Sequence, residues 1–219
     1  MKTISILSQK GGSGKTTSTL AIAGAAHAQG KTVVVLDIDP QAAATGWYTA
    51  RKRSGLPEGL HVQPLQAVQL EEVLEACREQ DVDLVLIDTP PQSDNPAVQA
   101  AQLSDLVLIV TKPSVMDLRA IQNTLRLAKV ADVHPYLLLN SVKPVGTRHL
   151  EASQTMTSMG VDVLPVMLGD RVAFMDMLVD GRTPVEYEPG GAAAQEAVKL
   201  YEHVNTVSYT HLRAHETNS

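Results

Sequence analysis

The sequence contains few of the residues on which small secreted proteins and metal-cluster proteins depend. Cys77 is the single cysteine among 219 residues, which excludes a disulfide framework and a cysteine-ligated metal site within one chain. Aromatic residues make up 3% of the chain, so the core must consist mainly of Val, Leu, Ile, Ala and Met. No apolar run approaches the ~18 residues of a membrane span, and Met1-Lys2 leads into a predicted strand without a signal peptide. We therefore expect a cytoplasmic protein.

An excess of basic charge is also lacking. The chain has 18 Lys and Arg against 24 Asp and Glu, a formal net charge of −6. This balance argues against a protein that is basic over its whole surface, although it leaves room for a local basic patch on a nucleic-acid-binding protein.

Short apolar runs alternate with helical stretches along the chain. The runs are nearly free of polar alternation, which is typical of parallel strands buried on both faces. The pattern predicts a single α/β domain with a doubly wound, mainly parallel sheet and helices on both faces. The predicted strands are Ile4–Leu7, Val33–Leu36, Leu84–Ile87, Leu106–Val110 and Tyr136–Leu139, and the predicted helices are Thr16–Gln29, Leu70–Gln80, Pro96–Leu103, Asp117–Val130, His149–Met159, a short one near 171–178, and Ala192–Val204.

A phosphate-binding loop follows the first predicted strand. Residues 10–17 read Lys-Gly-Gly-Ser-Gly-Lys-Thr-Thr, and the glycines let backbone N–H groups turn inward at the start of a helix, whose dipole favours an anion. Lys15 is placed to reach the β- and γ-phosphates of a nucleotide, and the Thr16 hydroxyl is placed to ligate Mg²⁺. The loop is a variant, because Gln9 stands where the common pattern has glycine and Lys10 opens the loop.

Carboxylates follow two other predicted strands. Asp37 and Asp39 come after Val33–Leu36, and Asp88 comes after Leu84–Ile87. The carboxyl ends of parallel strands meet at one edge of the sheet, where ligands bind. One member of the Asp37/Asp39 pair can act near the metal through water while the other orients the attacking water, and Asp88 stands at the Walker-B position beside the metal.

Taken together, these segments resemble the deviant-Walker ATPases of the ParA/MinD group. They are residues 10–17, Asp37-Ile38-Asp39-Pro40-Gln41 and Asp88-Thr89-Pro90-Pro91. The Asp-Pro-Gln segment and the small size are most similar to short, partition-type ParA proteins that lack an N-terminal DNA-binding domain. The likeness covers roughly residues 1–205, so we expect one P-loop ATPase domain over 1–206 and a disordered or artefactual tail over 207–219.

The resemblance implies an ATPase that dimerises when it binds ATP and hydrolyses MgATP to ADP and phosphate. Lys10 would reach the phosphates of the partner subunit, in the manner of an arginine finger supplied in trans. Lys15 would stabilise charge beside it, and Asp39 would position the hydrolytic water. The metal is expected on Thr16, Asp37 and Asp88.

The resemblance also implies which residues contact the nucleotide. Thr17 is expected near the α-phosphate and Pro113 near the base. Asn140 matches a position often used to read adenine, although a turn asparagine explains it equally well. The loop contacts are expected from Gly11, Gly12, Ser13, Gly14, Lys15 and Thr16.

By the same resemblance, the ATP dimer would bind nonspecific DNA and associate with the nucleoid, and a separately encoded ParB-like adaptor would stimulate hydrolysis. Nonspecific DNA affinity needs basic side chains gathered on one surface, because it comes mostly from phosphate neutralisation. Residues 51–53 are a candidate docking site for the adaptor, although a solvated charge run explains them equally well. The candidate DNA contacts are Lys143, Arg148, Arg171, Arg182 and Lys199, each of which an ordinary solubilising charge also explains.

Two alternatives remain within the superfamily. A MinD-like membrane-associated positioning ATPase would carry a basic amphipathic C-terminal helix, whereas residues 192–204 contain two glutamates and one lysine. A metabolic or metal-cluster-assembly ATPase of the cluster-bearing kind would use cysteines at a dimer interface, whereas Cys77 is alone and lies in a predicted helix.

Overall fold

The structure, a computed structural model, describes residues 1–92 and 94–216, apart from the side chains of 115, 116, 118–120 and 208–216. No helix within those ranges is long and apolar enough to cross a bilayer. In chain order the elements are β1 (Lys2–Leu7), α1 (Lys15–Ala28), β2 (Val33–Asp37), α2 (Ala43–Arg53), β3 (Leu60–Pro64), a 3-10 turn (Ala67–Gln69), α3 (Leu70–Glu79), β4 (Leu84–Asp88), α4 (Asp94–Gln102), β5 (Leu106–Thr111), α5 (Val115–Val130), β6 (Pro135–Val142), α6 (Arg148–Ser158), β7 (Asp162–Gly169), α7 (Val172–Asp180), α8 (Pro184–Tyr187) and α9 (Ala192–Glu216).

The strands form one parallel sheet in the order β3-β2-β4-β1-β5-β6-β7, which confirms the predicted doubly wound fold. The chain runs from β1 outward to β3, then crosses back to β4 and continues past β1 to β5, and ligands of such sheets bind near the point where the strand order reverses. The register places Asp88 beside both Ile6 of β1 and Asp37 of β2. The phosphate loop and two of the predicted carboxylates therefore meet at one edge.

Helices cover both faces of the sheet. On one face α1, α7 and α9 bury residues such as Ile22, Met177 and Leu200 against the strands, and on the other α3 to α6 do the same. Cys77 lies on the buried face of α3, and burial raises the pKa of its thiol.

Four helices and strands were not predicted from the sequence, namely α2, β3, β7 and α8, and neither was the 3-10 turn Ala67–Gln69. Both strands lie at the edges of the sheet and both contain proline, Pro64 and Pro165, so neither gives the continuous apolar run of a central strand. The last helix was also predicted too short, because α9 continues to Glu216. The domain boundary at 206 stays a prediction.

Helix α2 is fixed to the body of the protein at its C-terminal end. The Arg51 guanidinium donates to both carboxylate oxygens of Glu186 at 2.8 Å and to the Gly181 carbonyl at 3.1 Å, and it lies over the Trp47 ring. The side chain of Arg51 is only 2% exposed. The expectation that 51–53 form an exposed charge run is therefore wrong for Arg51, because its charge is neutralised inside the protein.

We expect Glu186→Gln to destabilise the fold by about 3 kcal/mol, since it leaves the buried Arg51 charge without an anion. Hydrogen bonds from Arg51 and Thr183 lower the pKa of Glu186 despite its burial. The stability that ionised Glu186 adds to the fold is present above the ordinary glutamate pKa and is lost as the pH falls through the lowered pKa. Urea unfolding at pH 7 measures the loss. Glu75→Gln, which breaks the exposed pair with Arg78, is the control and should cost less than about 1 kcal/mol; equal costs would contradict the assignment.

Candidate nucleotide-binding site

The phosphate loop takes a conformation that requires glycine. Gly14 lies directly before α1 with φ 103° and ψ 27°, a left-handed region that other residues rarely adopt. A Cβ there would lie 1.8 Å from Nδ2 of Asn140. That amide donates to the Ser13 carbonyl at 2.8 Å, so Asn140 supports the loop from beneath. Its predicted role in reading adenine stays a prediction.

Lys15 brings a buried positive charge to the loop. The residue is 7% exposed, and its Nζ lies 3.5 Å from the Ser8 carbonyl. Burial lowers the pKa of Lys15, while the charges of Asp88 and Asp39 oppose that shift. No ion pair to Lys15 is found among the described residues. A buried ammonium without a carboxylate partner is suited to an incoming phosphate.

Thr16 and Asp88 form the part of the site that fits a divalent cation. The Thr16 hydroxyl donates to Oδ2 of Asp88 at 2.6 Å, and the other oxygen, Oδ1, is buried without a partner in the described chain. Burial raises the pKa of Asp88 to about 7; the hydrogen bond from Thr16 opposes this rise and the charge of Asp37 adds to it. A hydroxyl and a carboxylate are the oxygen ligands that Mg²⁺ takes, so these two residues fit the ion.

Asp37, which was predicted as a metal ligand, accepts hydrogen bonds from the segment that follows it. Its Oδ2 accepts hydrogen bonds from the backbone N–H of Thr45 at 2.9 Å and from the Thr45 hydroxyl at 2.8 Å, and its Oδ1 accepts from the Asp39 N–H at 3.2 Å. Oδ2 of Asp37 thus holds the first turn of α2 and Oδ1 holds the turn to Asp39; its predicted role as a metal ligand stays a prediction. In the described chain no three His, Cys, Asp or Glu side chains are grouped as a metal cage. Asp39 is partly exposed, and its carboxylate accepts from the Gln41 N–H at 2.9 Å.

Lys10 lies at the exposed start of the loop and does not face the loop's own phosphate site. Its Nζ is 2.7 Å from Oδ1 of Asp117, at the start of α5. The neighbouring glycines Gly11 and Gly12 are exposed, and Thr17 lies in the first turn of α1, partly exposed. The predicted loop residues are therefore contiguous, with Lys10 at their outer edge.

A cavity of about 440 Å³ lies beside the loop. Its lining includes Pro113, the residue predicted to lie near the base, and Asp117, the partner of Lys10. Lys143 and Arg148 line the same cavity, whereas Asn140 does not. Lys143 and Arg148, which were predicted to contact DNA, therefore lie on the wall of a cavity next to the phosphate loop.

None of the remaining DNA candidates lines that cavity. Arg171 donates to Oε1 of Glu196 at 2.9 and 2.6 Å, and Arg182 lies 3.4 Å from Asp180. Lys199 is exposed on α9. The DNA-binding role of all five residues stays a prediction. Arg171 serves the packing of α9, and only Lys143 and Arg148 line a common cavity.

A model of the CobQ/CobB/MinD/ParA nucleotide binding domain matches residues 4–185, which include the loop, Asp88 and the Pro113 cavity. The chain belongs to this family. The resemblance to the ParA/MinD group is thereby confirmed, and with it a nucleotide-binding domain of the type found in positioning ATPases.

Relatives of the ParA/MinD type span nearly all of the chain. The maintenance of carboxysome distribution protein A of Gloeobacter kilaueensis is 28% identical over 207 residues, which cover 93% of this chain and 92% of the relative. The chromosome-partitioning ATPase Soj of Thermus thermophilus is 25% identical across 93% of this chain and 95% of the relative. The septum site-determining protein MinD of Pyrococcus horikoshii, solved with Mg-ADP, has a TM-score of 0.77 and 21% identity over 96% of this chain and 98% of its own; it shares the fold.

Sequence reasoning missed Thr45 and Asp117. Thr45 lies in α2, which the apolar pattern did not predict, so no signal pointed to it. Asp117 could have been found, because Ser114 and Asp117 have the Ser-x-x-Asp spacing of a helix cap. The Ser114 hydroxyl indeed accepts from the Asp117 N–H at 3.2 Å.

We expect Gly14→Ala to lower ATP affinity about tenfold or more, because it combines left-handed strain with a clash against Asn140. Titration with a fluorescent ATP analogue measures the loss. Gly46→Ala is the control, since a Cβ at this exposed position in α2 meets nothing within 4 Å, and it should leave nucleotide affinity unchanged. Wild-type affinity for Gly14→Ala would show that the loop tolerates another conformation.

Proposed function

We propose that this protein is an ATP-hydrolysing switch that dimerises with ATP, binds nonspecific DNA and positions a cargo in the cytoplasm. The observation that carries this proposal is the buried Lys15 beside the Thr16–Asp88 pair. A bound phosphate would give the Lys15 ammonium an anionic partner. The divalent cation bound with the phosphate would give the unpartnered Asp88 oxygen a positive one.

The proposed hydrolytic step assigns a role to each of these side chains. Mg²⁺, when bound to Thr16 and Asp88, supplies charge stabilisation at the phosphates. Lys15 binds the β- and γ-phosphates, and Asp39 orients the water for in-line attack. Lys10 of a second subunit completes the charge around the γ-phosphate, which couples the ATP state to the dimer.

The relatives support a positioning role and bear on the cargo. One is named for carboxysome distribution and another for chromosome partition, so we propose a large assembly as cargo, with an adaptor of the ParB kind stimulating hydrolysis. The membrane alternative is disfavoured because α9 buries Ala193, Ala197 and Leu200 in the core, so this face is not free to lie on a bilayer. The metal-cluster alternative is disfavoured because Cys77 is buried.

We expect Lys15→Ala to abolish tight ATP binding, because the buried cation that meets the phosphates is lost. Asp39→Ala should keep ATP binding, slow hydrolysis by about a hundredfold or more and trap the dimer. Nucleotide titration, phosphate release and light scattering behind a sizing column measure the three properties. Hydrolysis at the wild-type rate by Asp39→Ala would refute its role with the water.

We expect binding to random duplex DNA with ATP only, weakening steeply as salt rises. Fluorescence anisotropy with ATP, with ADP and without nucleotide measures it. Joint replacement of Lys143 and Arg148 by alanine should reduce the salt slope by about 2 per subunit, whereas Lys52→Ala, an exposed residue that lies over the Tyr48 ring, is the control. Absence of DNA binding in every nucleotide state, with turnover intact, would refute this step and direct the test to liposomes.

A further inference from the structure

Lys10 is held in its own subunit by a carboxylate that its proposed role in trans does not use. The ion pair joins Lys10 Nζ to Asp117 Oδ1 at 2.7 Å. The two side chains differ in surroundings, since that of Lys10 is 45% exposed and that of Asp117 only 6%. Asp117 is therefore the fixed member of the pair and Lys10 the movable one.

Several contacts fix the Asp117 carboxylate. The Ser114 hydroxyl bonds its Oδ2, and Ser114 in turn caps α5 by accepting from the Asp117 N–H at 3.2 Å. Asp117 lies in the first turn of α5, where the positive end of the helix dipole favours an anion. A carboxylate so shielded from water attracts an ammonium more strongly than an exposed one does.

The loop beside Lys10 leaves the ammonium free to move. Gly11 and Gly12 follow it, and a Cβ built on either would meet nothing within 4 Å. The two positions that follow Lys10 therefore face open space. Asp117 also lines the cavity that contains Pro113, so the anchoring carboxylate faces the space proposed for the base.

We propose that Asp117 is a positioning residue for Lys10, which it holds in the monomer in an ion pair that must break before Lys10 can reach the nucleotide of a second subunit. This inference rests on the proposed trans role of Lys10 and adds a regulatory step to it. The Lys10–Asp117 pair opposes dimerisation, so nucleotide binding has to supply the difference. Weakening the pair favours the dimer.

The first test is the dimerisation constant at saturating Mg²⁺ and a non-hydrolysable ATP analogue, measured by sedimentation equilibrium. Saturation removes any effect of nucleotide affinity. Asp117→Asn deletes the charge but keeps an oxygen for Ser114. Loss of each ion pair should raise the dimerisation constant about 3-fold. Two lysines move in each dimer, so Asp117→Asn should tighten dimerisation about tenfold. Ser114→Ala is the matched control, since it weakens the cap but leaves the carboxylate, and it should not tighten the dimer.

The second test is a double-mutant cycle on the nucleotide-free monomer. Urea unfolding of Lys10→Met, Asp117→Asn and the double variant should give a coupling of about 3-fold in the unfolding equilibrium constant. The proposal is supported if this coupling is found, if the Asp117→Asn dimer is tighter than wild type, and if the Ser114→Ala dimer is unaltered or weaker. Absent coupling, or an Asp117→Asn dimer no tighter than wild type, overturns it and leaves the proposed function standing. A wild-type protein that stays monomeric with the analogue overturns both.

Discussion

Burial of charge at the carboxyl ends of β1, β2 and β4 is the constraint on which the site depends. Lys15 and Asp88 are both buried, yet they are not paired with each other at ion-pair distance, and the charge of Asp37 adds to the burial that raises the pKa of Asp88. Burying charge without a partner is costly, and here the stability of a large apolar core offsets that cost. A magnesium nucleotide would supply charges of both signs, and the side chains are already organised for it.

Helix α2 links this constraint to the far side of the domain. Its start is bound to Asp37 through Thr45, and its end is bound to Glu186 through Arg51. The loop that carries Asp39 enters α2 directly. A displacement of that loop must therefore either break the Thr45 bonds or move the helix against the buried ion pair. The position of Asp39 thus depends on contacts at both ends of α2, including the ion pair between Arg51 and Glu186.

The sequence predicted the central strands and the phosphate loop because both follow from local chemistry. Buried parallel strands give continuous apolar runs, and the loop needs its glycines and Lys15 in fixed order. The edge strands β3 and β7 were missed, since half-exposed strands with proline lack that signal. Side-chain partners were the least predictable feature. The hydrogen bonds that Asp37 accepts come partly from Thr45, which lies in α2. Because α2 was itself unpredicted, these bonds could not be predicted either.

The basic residues around the Pro113 cavity bear on how a chain of net charge −6 can approach DNA. Lys143 and Arg148 are exposed beside that cavity, whereas Arg171 and Arg182 have carboxylate partners. Two cations that have no carboxylate partner among the described residues neutralise few phosphates, and the affinity that they would supply in one subunit is small at physiological salt. A dimer doubles their number on one particle without any further contact. In the proposed switch, weak DNA binding by each subunit is what would allow dimerisation to control it, because a strongly basic monomer would stay on DNA in every nucleotide state.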